Sequence, residues 1–431
     1  MKKLPFFSAA LALLALVGCS ENKEKLKGTR EPFIVVGDSL KPDESISHME
    51  VSLPSAQDIK NWGQVGGTPS HLIAPVTVST DLKKVWEQQI GDGADTYHRL
   101  ITHPVVNDGR IYTMDVHGKV QARNTGNGDL LWELVTSPEE GHSNTMGGGL
   151  AAVDGNLFIT TSFGDVWCVE AKSGKEIWKK NLETPIRAAP TVFGNRIYVV
   201  NVNNEIFALD EKSGEELWDY SGIIEPCSLL GGSAPAASNH AVVVTLTSGE
   251  IYSLGLESGR LLWSDTITPA LRTDTVSSIA HIRARPIIED NTVYLASHGG
   301  IIGAYDVMSG SKHWTKKIGV LRSPALAGNF IFLITTNDDL VCILKSTGQV
   351  RWAVPLPRKR ESEDVITWAG PTIVNNQLVI VSTSGQMAFV DVADGKIAKT
   401  VELESPCQLS PIAADKTVFI LTDSGMLQAW R

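Results

Sequence analysis

The sequence predicts an all-β fold: an eight-bladed β-propeller with four antiparallel strands in each blade. A Gly-x-x-x-Trp phrase recurs along the chain, each time after an apolar strand and a turn. A spacing of about 40–50 residues between copies indicates a repeat architecture. Each repeat shows four short strands bounded by turn residues, and no amphipathic helix follows residue 80. Four antiparallel strands per repeat are typical of propeller blades.

The number of blades comes from counting the phrase. The complete copies are Gly128–Trp132, Gly174–Trp178, Gly214–Trp218, Gly259–Trp263, Gly310–Trp314 and Gly348–Trp352. A seventh copy ends in Lys399 instead of Trp, and the eighth is split between Trp86 and the strand Leu427–Arg431. Pairing the two chain ends in one blade closes the ring and leaves no exposed terminal blade. The predicted propeller covers residues 76–431.

The repeated residues have structural explanations. The first strand of a repeat begins near a Pro, which suits a strand start. The fourth strand is the outer edge of the blade, where a Trp buries on the order of 200 Å² against the neighbouring blade while its N–H reaches a backbone carbonyl. The Gly supplies the positive φ of a tight hairpin. The predicted structural set is Trp86, Trp132, Trp178, Trp218, Trp263, Trp314 and Trp352.

The N-terminus predicts export and a lipid anchor. Lys2 and Lys3 precede the apolar stretch Leu4–Val17, which is typical of a signal peptide and too short to span a bilayer. The residues before Cys19, Leu-Val-Gly, resemble a bacterial lipobox, which implies removal of residues 1–18 and lipidation of Cys19. The alternative is an ordinary secretory signal with a chance Cys. Residues 19–75, charged and weakly periodic, are predicted as a lipidated flexible tether and lead-in.

Composition excludes some functions. The formal net charge of −10 argues against nucleic-acid binding, which needs a basic face. The remaining cysteines lie in well-separated repeats, so we predict buried free thiols at Cys168, Cys227, Cys342 and Cys407. No Cys/His spacing suggests zinc, and no nucleophile–His–acid motif is evident. The sequence therefore predicts no catalytic residue, metal or cofactor.

The repeat, with its Ala/Ser-Leu-Asp-like third strand, resembles the pyrroloquinoline-quinone-type propeller repeat over about 350 residues. One subfamily is the quinoprotein dehydrogenases, which implies a vicinal Cys-Cys pair; no two cysteines are adjacent here. The other is the BamB-type lipoprotein of the outer-membrane β-barrel assembly machinery. Lipobox, acidic tether, eight repeats and length all match it, as does the stretch Ser228–Pro235 (SLLGGSAP).

The BamB-type resemblance implies a docking site for the periplasmic domains of the barrel-forming subunit. It points to Leu229, Leu230 and Gly231, and to a second loop that here carries His281 and Arg283. Some relatives have an acidic pair in that second loop, so the charge is reversed in this chain. Two alternatives stay open from the residues alone. The leucines either plug the mouth of the ring or contact a partner, and Arg283 and Arg285 either pair with a loop acid or contact a partner.

The resemblance implies a non-enzymatic scaffold on the periplasmic face of the outer membrane that aids delivery of unfolded outer-membrane proteins. The alternative is a quinoprotein-like dehydrogenase or another cofactor-binding propeller. The longest connections from a fourth to a next first strand precede residues 104, 235, 286 and 371, all on one predicted face. Loops of this kind are where propellers carry function.

Overall fold

The strands pair as the repeat predicts. The computed structural model describes residues 40–137, 146–225, 228–267, 281–358 and 365–431. Their strands form eight four-stranded sheets in which neighbouring strands run antiparallel, which confirms the eight-bladed β-propeller. Helical structure in these ranges is slight, a 3-10 turn at Glu44–Ile46. None of the helices in the described ranges has the length and apolarity needed to cross a membrane.

Seven blades each use four consecutive strands. In chain order they are β2–β5 (Val105–Asn107, Arg110–Met114, Lys119–Asn124, Leu130–Val135), β6–β9 (Gly148–Val153, Asn156–Thr161, Asp165–Glu170, Glu176–Asn181), β10–β13 (Thr191–Phe193, Arg196–Val200, Glu205–Asp210, Glu216–Ser221), β14–β17 (Ala236–Ala237, Val242–Thr245, Glu250–Leu254, Leu261–Thr266), β18–β21 (Ile287–Glu289, Thr292–Ser297, Ile301–Asp306, Lys312–Lys316), β22–β25 (Ala325–Ala327, Phe330–Ile334, Asp339–Leu344, Val350–Pro355) and β26–β29 (Trp368–Val374, Gln377–Ser382, Gln386–Asp391, Ile397–Glu402).

The eighth blade joins the two ends of the propeller. It consists of β30–β32 (Ile412–Ala414, Thr417–Leu421, Met426–Trp430) and, as its fourth strand, β1 (Lys84–Gln89). Trp86 pairs with Ala429 across β1 and β32. Backbone hydrogen bonds of 3.0 and 2.9 Å between Lys83 and Arg431 extend this pairing. The predicted closure of the ring by the chain ends is therefore confirmed.

The two faces of the propeller follow from the antiparallel strand order. The chain passes from the fourth strand of one blade to the first strand of the next on one side, which we call the connecting face. The turns between second and third strands lie on the same side, because adjacent strands run in opposite directions. Turns between first and second strands, and between third and fourth strands, lie on the opposite face.

The Trp of one blade contacts the Gly of the next blade. The indole N–H groups donate hydrogen bonds of 2.7–3.1 Å to carbonyls three residues before the partner Gly. A Cβ on that Gly would lie only 2.6–2.8 Å from the ring, and φ there is +64° to +77°. The pairs are Trp86–Gly128, Trp132–Gly174, Trp178–Gly214, Trp218–Gly259, Trp263–Gly310, Trp314–Gly348 and Trp352–Gly395.

This pairing explains why the seventh copy lacks its Trp. Lys399 lies on β29, and the next blade is the one that the chain ends close. That blade has no turn between its third and fourth strands, because β32 and β1 come from opposite ends of the propeller. A Trp at position 399 would therefore have no Gly turn to contact. The Lys399 ammonium instead lies 3.8 Å from the Asp81 carboxylate, just before β1.

Residues 57–78, which we call the crossing segment, run over the hub on the opposite face. Hydrogen bonds join this segment to the ends of the first strands. The pairs are Trp62 with Val106, Gly63 with Ala152, Gln64 with Val192, Pro69 with Ala237, Ser70 with Ile288, Val76 with Ile373 and Ile59 with Asp415. The sequence predicts a flexible tether over residues 19–75, whereas its described part, residues 40–75, lies against the blades. Burial of Ile46, Val51 and Trp62 stabilises this arrangement.

Candidate functional site

The loops of the connecting face expose large apolar side chains. Tyr97 is 78% exposed, Ile223 is 60%, Ile224 is 63% and Val365 is 71%. Each lies between the fourth strand of one blade and the first strand of the next. Covering such side chains with a partner protein removes apolar surface from water, which is favourable. Among the described residues, the most exposed large apolar side chains therefore lie on the connecting face.

The leucine loop lies on this face. Leu229 and Leu230 are half-buried, and neither is part of the apolar clusters of the described core. Gly231 has φ of +99°, and a Cβ on it would lie 3.0 Å from Arg283 Nε. The loop therefore turns at Gly231, where the absence of a side chain makes room for the arginine of the neighbouring loop.

His281 connects the two predicted docking loops from the inside. Its side chain is only 1% exposed, and its ring lies near the backbone of Leu229. Burial, with the nearby positive charge of Arg283, lowers the pKa of His281 to about 4. The imidazole is consequently neutral at pH 7 and lies buried behind the leucine loop. The structure places Leu229, Gly231, His281 and Arg283 close together, but the side chain of His281 does not reach the surface.

Arg283 and Arg285 have no carboxylate partner in the part of the chain that the structure describes. Pairing with a described loop acid is therefore not observed. Burial lowers the pKa of Arg283 to about 10, and the charges of Arg322 and Arg285 add to this effect. Burial alone lowers the pKa of Arg285 to about 10. Both stay protonated at pH 7.

Sequence reasoning missed that these arginines belong to a larger group. Arg187 and Arg322 line the same central cavity as Arg283 and Arg285. Aligning the repeats gives the signal, because the arginines lie one to three residues before the Pro that opens the first strand. The matching prolines are Pro190, Pro286 and Pro324. First strands surround the hub, so residues at their starts converge on the central channel.

Other predicted positions are either buried or not described. Cys168, Cys342 and Cys407 are buried free thiols, as predicted, and burial raises the pKa of Cys168 to about 12. Cys19 and Cys227 lie outside the described residues. Within the described ranges, no group of His, Cys, Asp or Glu side chains could hold a metal ion.

Comparison with known proteins places the chain in a family. The family model described as outer membrane protein assembly factor BamB matches residues 139–354 and 339–431. An outer membrane protein assembly factor BamB from Alteromonas naphthalenivorans is 27% identical over 400 residues, covering 88% of this chain and 94% of the relative. The BamB of Escherichia coli K12 is 23% identical over 347 residues, covering 79% and 86%.

Solved structures share the fold. BamB from Moraxella catarrhalis superposes with a TM-score of 0.68 at 16% identity, covering 81% of this chain and all of that one. A quinohemoprotein alcohol dehydrogenase from Comamonas testosteroni gives 0.67 at 13% identity, covering 91% of this chain and 82% of the dehydrogenase. At these identities, both likenesses show the propeller fold and do not by themselves separate an assembly factor from an enzyme.

Proposed function

Because the chain belongs to the BamB family of outer membrane protein assembly factors, we propose that it is a non-enzymatic scaffold of the machinery that assembles outer-membrane β-barrels. The observation that carries this proposal is the family match, which extends over residues 139–431. In the proposal, lipid on Cys19 anchors the chain to the periplasmic face of the outer membrane after residues 1–18 are removed. The propeller then presents its connecting face to the barrel-forming subunit.

In the proposed docking, Leu229 and Leu230 contact the periplasmic domains of that subunit. The neighbouring Ile223 and Ile224, both more than half exposed, extend the apolar surface. In this proposal the buried His281 supports the loop from its inner side, next to the backbone of Leu229. A few buried apolar anchors of this kind supply most of the free energy of a protein–protein interface.

The proposal includes a second surface for unfolded outer-membrane proteins. The fourth strands form the outer edges of the blades, and they expose large apolar side chains. These include Leu130, Leu131, Val135, Ile177, Leu217, Leu261 and Ile397. An extended chain can add to such an edge through backbone hydrogen bonds. Docking would then raise the concentration of unfolded barrel proteins near the barrel-forming subunit.

The docking proposal is tested by affinity purification of the lipidated full chain from detergent-solubilised membranes. We expect the Leu229→Asp/Leu230→Asp variant to lose the barrel-forming subunit, because two buried carboxylates would oppose apolar burial. Met308→Asp is the matched control, since Met308 is 44% exposed on the opposite face. Equal recovery of the subunit with both variants would exclude docking through the leucine loop.

A further inference from the structure

The central channel contains four arginines that make no ion pair in the described part of the chain, although the carboxylates of Asp423 and Asp338 act on Arg322 from a longer distance. Arg187, Arg283, Arg285 and Arg322 line one cavity at the start of the first strands, and the described residues that line it include no acidic side chain. In the described ranges, none of the four guanidinium groups makes an ion pair. The Nε atoms of Arg187 and Arg285 are buried and lack any hydrogen-bond partner. Unpaired buried charge is costly, so such groups are normally bonded.

The charges also act on one another. The positive charges of Arg322 and Arg285 both lower the pKa of Arg283, after burial as the first cause. His103 lies in the same cavity, and burial together with Arg285, Arg283 and Arg322 lowers its pKa well below the ordinary value. Like charges gathered in a poorly solvated channel repel one another. A negatively charged ligand would remove this repulsion.

The shape of the channel restricts what can enter. The cavity offers water-sized groups a volume of about 50 Å³. A second cavity, which shares His103, Arg285, Ser323 and Ser410 with the first, reaches Trp62 and Ile73 of the crossing segment. The crossing segment covers the hub on the opposite face. Among the described residues of the connecting face, Gly231 of the leucine loop lines the cavity.

From this geometry we infer that the channel is a binding site for a small anion carrying two or more negative charges, of the phosphate or polycarboxylate class. Planar guanidinium groups bind both kinds of oxyanion through paired N–H donors. Arg283 and Arg285 supply such donors from one loop, and Arg322 supplies them from the next blade. The hydroxyls of Ser323 and Ser410 line the cavity beside them. This site goes beyond docking, because it requires no partner protein.

Isothermal titration calorimetry of the full chain in detergent at low ionic strength tests the inference, with inorganic phosphate and citrate as probes. Sodium chloride at matched ionic strength controls for screening. We expect saturable heat with at least one probe and a rise of about 2 °C or more in melting temperature at saturation. The probe that binds identifies the class. Absence of saturable heat with both probes would overturn the inference.

Variants separate the channel from other basic surfaces. We expect Arg283→Gln/Arg285→Gln to weaken binding by about tenfold or more. Without anion its melting temperature should be unchanged or higher, because repulsion is relieved. Arg196→Gln is the matched control, since the Arg196 Nε also lacks a partner but lies on β11 away from the cavity. If the double variant does not fold, Arg322→Gln gives the same readout. Unchanged affinity in the channel variant would overturn the inference.

Discussion

At Gly214, φ is +72° and a Cβ would lie 2.6 Å from the Trp178 ring. The glycine thus meets two requirements, a left-handed backbone and space for a Trp from the preceding blade. Gly155 has φ of +81° but no atom within 4 Å of its Cβ position. Both glycines have a positive φ, but only Gly214 contacts the neighbouring blade. Comparing substitutions at the two positions therefore separates the stability due to the Gly–Trp contact from the cost of backbone strain.

We predict that Gly155→Ala lowers the free energy of unfolding by about 1–2 kcal/mol, the cost of a left-handed conformation. Gly214→Ala should cost about 1–3 kcal/mol more, because the indole of Trp178 must shift and lose packing. Urea unfolding of both variants measures the difference. Equal losses in the two variants would show that the Gly–Trp contact does not hold the blades together.

Two buried histidines predict loss of stability in acid. Burial lowers the pKa of His71 to about 3 and that of His281 to about 4, from an ordinary value of 6.5. At a pH between the lowered pKa of each histidine and 6.5, the unfolded chain binds more protons than the folded chain. Each group therefore lowers the free energy of unfolding by about 1.4 kcal/mol per pH unit as pH falls below 6.5.

The variant His281→Gln removes one of these groups. We expect its free energy of unfolding to depend less steeply on pH between 6.5 and 5 than that of the unchanged chain, by about 1.4 kcal/mol per unit. Denaturant titrations at several pH values give this slope. A slope unchanged by the substitution would mean that His281 is accessible to protons in the folded state.

At the scale of the element, the fourth strand packs against the next blade with some side chains and exposes others to solvent. In β9 (Glu176–Asn181), Trp178 faces the next blade while Ile177 is 52% exposed. Successive side chains of a strand point to opposite faces, so one strand can both pack against a neighbouring blade and expose apolar side chains. The proposed strand addition relies on the exposed residues, whereas the architecture relies on the Trp.

Lysines on these edges test strand addition, because edge lysines oppose pairing with another strand. The edge variant carries Lys at Leu131, Ile177, Leu217 and Leu261. The control carries Lys at the exposed opposite-face residues Asn127, Ser173, Glu257 and Met308. We expect the edge variant to bind an unfolded outer-membrane barrel segment about tenfold more weakly in fluorescence anisotropy. Equal affinities of the two variants would argue against strand addition.

At the scale of the whole molecule, the sequence predicts the blades well because each repeat carries its own strand and turn signals. It also predicts ring closure, because Trp86 and the strand Leu427–Arg431 are complementary halves of one repeat. The crossing segment was not predictable in the same way. Its bonds to the first strands are mainly backbone contacts between distant positions, such as Val76 with Ile373 at 3.1 Å, and they leave no periodic pattern.

The candidate site was partly predictable for a related reason. The stretch Ser228–Pro235 resembles a family motif, so the leucine loop could be found from local residues. The burial of His281 and the convergence of Arg187 with Arg322 depend on how separate blades face the hub. Neighbours in space from different repeats become evident only once the ring is assembled.

The claim that the connecting face docks on the barrel-forming subunit is tested most directly by site-specific photo-crosslinking in cells. A photoreactive residue is placed at Ile223, Ile224 or Leu230 on the connecting face, and at Asn127 or Met308 on the opposite face. The account predicts covalent products with the barrel-forming subunit from the connecting-face positions and none from the opposite face. Products from the opposite face alone, or from neither face, would contradict it.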